Sequence, residues 1–193
     1  NELWSLNPST GAWSQITYGV PSPTPLAGVG AVFDVVGRRM IVFGGTTTGG
    51  GYVNDCWAYN IDSNHWTQVG VGGPQPAARG GNAAISDDAH GRMVIWSGAS
   101  DIGYFTDTWA LNYSTDTWQQ LATTGTPAGR GSIAPAYDAA HNRMIVWGGQ
   151  SSLGGLSNET DYLDLSTLAW TTETFAAGTV PSPRASIWAS YDP

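Results

Sequence analysis

The sequence predicts an all-β protein built from tandem four-stranded antiparallel sheets, and three observations carry that reading. Trp13, Trp66, Trp118 and Trp170 are spaced by 53, 52 and 52 residues. Short apolar runs closed by glycine keep step with them: RMIVFGG at 39–45, RMVIWSG at 92–98 and RMIVWGG at 143–149. No stretch holds a helical period over three turns, and β-branched residues in short runs bounded by glycine favour strand. A fixed period of about 52 residues marks a repeat architecture.

Further columns keep the same period. Trp4, Trp57, Trp109 and Tyr162 form one, and Gly45, Gly98 and Gly149 another. Asp34, Asp87, Asp138 and Asp192 form the next, and Arg79, Arg130 and Arg184 the last, with Leu26 in its first place. Each repeat then reads as four strands in order. The first is rich in small residues: 28–34, 81–87, 132–138 and 186–192. The second is the apolar run ending in glycine. A loop of variable length leads to the third, at 54–61, 106–113 and 159–165. A polar turn gives the fourth, which begins near the Trp66 column.

Four-stranded antiparallel sheets in tandem bury both faces by stacking radially, with the first strand nearest the axis. Inner strands converge and require small residues, which Gly28, Gly30, Ala31, Gly81, Ala83, Ala84, Ser132 and Ala134 supply. Pro135 falls inside one of them, which suits an edge strand facing the channel. Outer strands diverge and need the bulk of the Trp columns. The expected organisation is one β-propeller domain. Residues 1–19 give the third and fourth strands of a partial blade, 20–71, 72–123 and 124–175 give three blades, and 176–193 the first strand of another. About 3.75 blades are therefore expected, leaving a segment of a longer protein or a chain whose copies join edges.

These columns resemble the bacterial branch of the kelch repeat family. The resemblance rests on the glycine pair closing the second strand, the aromatic of the third, the Trp of the fourth and the arginine opening the first. It covers essentially the whole chain and implies a kelch-type β-propeller with a ring of six or seven blades. It says little about activity, since propellers host many functions. Galactose oxidase is a catalytic relative with such repeats. Its copper site requires a Cys–Tyr crosslink, and nothing around Cys56 matches that motif.

Composition narrows the partners. All seven basic residues are Arg, and fifteen acidic residues give a net charge of -8. Nucleic acid and anionic membrane surfaces both need clustered cations and are not expected partners. The longest apolar runs are about four or five residues, too short to insert in a membrane. The lone Cys56 forms no internal disulfide. Three scattered histidines, His65, His90 and His141, read as turn residues, so neither a metal nor a cofactor is expected.

Nine of the ten tryptophans fall in repeat columns and read as packing between blades. Trp188 is the exception. It replaces Gly30, Ala83 and Ala134, and either stands into the channel or packs in the last blade. Arg79, Arg130 and Arg184 sit just before inner strands, beside the variable loops 46–53, 99–105 and 150–158. They either recognise ligand carboxylates bidentately or pin neighbouring loops. Kelch relatives imply the first role, for acidic peptides. Tyr52, Asp101, Tyr104 and Asn158 are the loop side chains best able to touch a ligand. The Asp34 column reads as turn chemistry. The expected function is a non-catalytic scaffold for protein or glycan, extracellular or at the cell surface. A structural subunit self-associating through its terminal strands, and a piece of a secreted galactose-oxidase-like enzyme, are the alternatives.

Overall fold

The computed structural model of the chain describes residues 2–151, 154–175, 178, 180–187 and 189. Strands β1 (Leu3–Asn7) and β2 (Ala12–Ile16) form a hairpin. Three four-stranded antiparallel sheets follow. The first holds β3 (Gly30–Asp34), β4 (Arg39–Phe43), β5 (Cys56–Asn60) and β6 (His65–Gln68). The second holds β7 (Ala83–Asp87), β8 (Arg92–Trp96), β9 (Thr108–Asn112) and β10 (Thr117–Leu121). The third holds β11 (Ala134–Asp138), β12 (Arg143–Trp147), β13 (Thr160–Asp164) and β14 (Trp170–Thr172). Each sheet runs in chain order as a meander, as the repeat predicts. Among the described residues the only helical element is a 3-10 turn at Asp88–His90. The expected strand at 186–192 falls partly outside the described residues.

The inner strands are tied to one another through their entry residues. Gly81 N–H donates to Gly28 C=O at 2.7 Å, Ser132 N–H to Gly81 C=O at 2.8 Å, and Ser186 N–H to Ser132 C=O at 3.0 Å. All four residues lie in the left-handed region, with φ between 55° and 65°. Pro135 sits in β11, an edge strand, where its missing N–H costs no ladder bond.

Sheets pack face to face through the Trp columns. Trp118 meets Phe43 of the preceding sheet edge-on at 4.9 Å between ring centroids, and Trp170 meets Trp96 at 4.8 Å. Both tryptophans are buried, as is Trp66. Two separate cores result, one between the first and second sheets around Phe43 and Ile95, the other between the second and third around Trp96 and Val146. The packing role expected of all column tryptophans needs correction at the N-terminal hairpin. Trp4 and Trp13 are 46% and 63% exposed, because nothing among the described residues covers that face.

The turn face, made of first-to-second and third-to-fourth strand turns, is stapled by charge. The Asp34 carboxylate accepts the Gly37 N–H at 2.9 Å and Asp138 accepts the His141 N–H at 3.2 Å, as turn chemistry requires. Asp34, Asp87 and Asp138 also take the Nε–H of the arginine five residues on, Arg39, Arg92 and Arg143 in turn. Arg39 then reaches the next sheet, donating to Tyr113 C=O at 2.6 Å and pairing with Asp116 at 2.8 Å. Arg92 reaches Leu165 C=O in the same way at 3.3 Å.

Candidate functional site

On the opposite face, each loop between second and third strands clasps the segment that enters the next sheet. Gly45 N–H donates to Arg79 C=O at 2.7 Å, and Arg79 N–H donates to Val53 C=O at 3.1 Å. Gly149 and Ser157 hold the Arg184 backbone in the same way, at 2.9 and 3.1 Å. Glycine is required here: a Cβ on Gly44 would stand 2.4 Å from the Arg79 carbonyl oxygen. The middle clasp differs. Ser97 takes the glycine's place with φ of 59°, its Oγ lies 2.6 Å from the Phe105 carbonyl and 2.7 Å from that of Arg130 with one proton to donate between them, and it accepts the Arg130 N–H at 2.8 Å.

The arginines enter the protein rather than the solvent. Arg79 is fully buried and grips Asp107 bidentately at 2.5 and 3.0 Å. Its remaining donors meet Ala77 and Ser97 carbonyls, and Phe105 lies 3.9 Å from its Cζ. Arg130 is 1% exposed and holds Glu159 at 2.6 Å together with Asp161. Burial raises the Asp107 carboxyl, but hydrogen bonds from Arg79 and Trp109 and the arginine's charge outweigh it, and its pKa falls below the ordinary value. Direct ligand recognition by Arg79 and Arg130 is thereby corrected: their forks are spent on carboxylates of their own sheets, and they act as pins. Arg184 differs. It is exposed, its Cζ stands 5.8 Å from the Trp147 ring, and among the described residues its guanidinium bonds Ser182, at 3.0 Å through both Nε and Nη2. Trp188 lies outside the described residues.

The loop side chains divide similarly. Tyr52 and Tyr104 are half-buried, each paired back within its own loop, and each lies against the glycine after the next arginine. A Cβ on Gly131 would stand 2.9 Å from Tyr104 Cε1. Asn158 donates from Nδ2 to Pro181 C=O at 3.3 Å, as Asn54 does to Pro76. These three therefore brace loops. Asp101 stands exposed at a loop tip beside Ile102, which is 91% exposed. The sequence reading missed the carboxylate column Asp55, Asp107 and Glu159, of which Asp107 and Glu159 receive the arginines. Its signal was an acid two or three residues before each third-strand aromatic. It also missed the repeated Asp–Arg pairs five residues apart.

The inventory of reactive groups is short. Burial pushes the Cys56 thiol well up, so it stays protonated and inert at neutral pH. His90 and His141 each bond an Asp of the turn column through Nδ1, at 2.9 and 2.8 Å. Among the described residues no group of three or more His, Cys, Asp or Glu side chains is placed to hold a metal ion. No helix among them is long and apolar enough to cross a membrane. What the arrangement offers is a braced scaffold with short loops on one face.

The KLHDC2/KLHL20/DRC7 kelch-repeats domain model matches residues 1–190. The chain belongs to this kelch family. Kelch-repeat domains generally bind proteins and are generally non-catalytic. Among curated proteins, this kelch domain is 30% identical over 178 residues to acyl-CoA-binding domain-containing protein 4 of Arabidopsis thaliana, covering 91% of this chain and 26% of that protein. It is 29% identical over 208 residues to the host cell factor homolog hcf-1 of Caenorhabditis elegans, covering 95% and 26% respectively. It is 26% identical over 190 residues to the dynein alpha chain of the flagellar outer arm of Chlamydomonas reinhardtii, covering 90% of this chain and 4% of that protein. The chain thus spans about a quarter of the plant relative, and the bacterial affinity expected from the repeats gains no support from these matches.

Proposed function

We propose that this kelch domain is a non-catalytic platform that binds another polypeptide through the face carrying the loops 46–53, 99–105 and 150–158. One observation carries the reading. Loops that differ between repeats are held by the same clasps and braces, so the face presents variable tips on a fixed frame. Asp101 and Ile102 are the tip residues placed to touch a partner, with Arg184 an exposed cation near that face that meets no carboxylate among the described residues. A glycan is the other ligand class such a face suits, and an extracellular or cell-surface setting belongs to the same proposal, supported by the lysine-free, acidic composition.

A photo-crosslinker at Ile102 tests this in extracts of the source organism. Capture of one polypeptide, lost in Asp101→Ala but kept in a turn-face variant such as Val36→Ser, is the expected result. Turnover of a substrate by the domain, abolished by one polar substitution, would overturn it. The exposed Trp4, Leu6 and Trp13 favour a second reading, in which the hairpin face pairs with another chain in an assembly. Concentration-dependent mass in light scattering, removed by Trp13→Lys, separates the two.

A further inference from the structure

The turn face carries a cleft of about 630 Å³ between the first and second sheets, distant in the fold from the loop face. Its walls are the turn after β3, with Val35 and Val36, the 3-10 turn with Asp88 and His90, and the turn after β9, with Tyr113 and Ser114. Val36 is 95% exposed and Val35 60%, so an apolar wall stands open to solvent. The volume is in the range of side-chain and small-ligand pockets.

The charged groups of the cleft are unequal. Its only arginine, Arg39, is cancelled by Asp34 at 2.9 Å and Asp116 at 2.8 Å, and its Nη2 donates to Tyr113 C=O. Asp88 is exposed and held in place by the Ser86 hydroxyl, with no cation against it among the described residues. His90 bonds the Asp87 carboxylate through Nδ1 at 2.9 Å, which fixes its ring at the edge of the cleft. Burial pushes the Tyr113 hydroxyl up, so it adds no charge. With Arg39 paired and Asp88 unpaired, negative charge is in excess in the cleft, while the valines offer contact to an aliphatic stem.

We propose that this cleft seats a lysine or arginine side chain of a partner polypeptide, with its stem along Val35 and Val36 and its cation at Asp88. Long basic side chains combine these two needs, an apolar stem and a charged head. The absence of lysine from the chain and its net charge of -8 fit a basic partner rather than the acidic peptide expected from the arginine column.

The test is an NMR titration of the domain with hexalysine, hexaglutamate and 1,5-diaminopentane at low salt. Hexalysine should give saturable shifts at residues 34–37, 88–91 and 112–114, and hexaglutamate none. Asp88→Asn should weaken hexalysine about fivefold, the upper end for an exposed ion pair. Glu173→Gln, an exposed carboxylate just after β14, should leave both affinity and circular dichroism unchanged. Val36→Ser, a fully surface change, should weaken binding without touching charge, and stands in if Asp88→Asn fails to fold. Equal weakening by Glu173→Gln would mean diffuse attraction to an acidic protein and would overturn the site. Equal affinity for 1,5-diaminopentane at the same residues would overturn the polypeptide partner. Neither result bears on the loop-face reading.

Discussion

The first and third sheets hold the same position with different chemistry. In the third, Arg130 enters from below its inner strand and is closed over by Glu159 and Asp161. In the first, Leu26 stands where the arginine would, and Asp55 in the matching carboxylate position receives only Gln68 Nε2, at 3.3 Å. Leu26 is half-buried where Arg130 is 1% exposed. The comparison shows what the arginine does. It lets a polar loop close over a sheet entrance without leaving a carboxylate unpaired, and its presence tracks burial rather than access to a ligand.

The largest expected effect comes from breaking that clamp. Arg130→Ala should cost about 3–5 kcal/mol, because it strands Asp161, which is fully buried, without its counter-charge. Urea denaturation followed by Trp fluorescence measures it, and the double variant Arg130→Met, Asp161→Leu should recover part of the loss. Next is Ser97→Ala. It keeps the Cβ but strands the Arg130 N–H and the Phe105 carbonyl, while the Arg130 carbonyl keeps the Gly98 N–H, at a cost of about 1–3 kcal/mol. Gly44→Ala in the first clasp should be at least comparable, since its Cβ meets a backbone oxygen and its φ is 69°.

Acid probes the same clamp. The pKa of Asp107 is lowered in the folded state from its ordinary 3.8, so its contribution is complete at neutral pH. It is lost as pH falls through the folded value. Unfolding midpoints should therefore drop below about pH 4, and Asp107→Asn should flatten that drop. The smallest effect sharpens the comparison from the other side. Leu26→Arg should restore the missing pair with Asp55 and gain at most about 1 kcal/mol, since Asp55 is partly exposed.

The fold was legible in the sequence because its period is written in large side chains. Trp66, Trp118 and Trp170 each face the preceding sheet, so one geometric role forces one residue type at one spacing. Pro135 could be placed at an edge for the same reason. The arginine column was legible as a column but not as a direction. Asp55, Asp107 and Glu159 keep the period of 52 residues, yet two columns of opposite charge do not by themselves reveal that their members meet. The third-strand aromatic is what slips: Asp161 pairs with Val146 where Trp109 pairs with Ile95, so following the aromatics passes over the buried acid. Asn158 was read as a free loop side chain because its acceptor, the Pro181 carbonyl, is a backbone group that no residue identity reveals. Nor does any motif mark the turn-face cleft, which exists only once two turns from separate repeats lie side by side.

The bonds from Gly81 to Gly28, Ser132 to Gly81 and Ser186 to Ser132 all run the same way, later residue donating to earlier. The peptide groups at the axis therefore line up head to tail, and each bond polarises its neighbours. Such a line behaves as a hoop with a sense of rotation: it has a donor side and an acceptor side at every joint. Neighbouring repeats can be swapped only with partners that respect that sense. A proline at position 81 or 132 would cut the hoop at one link, and hydrogen exchange at the links on either side would report how far the tension travels.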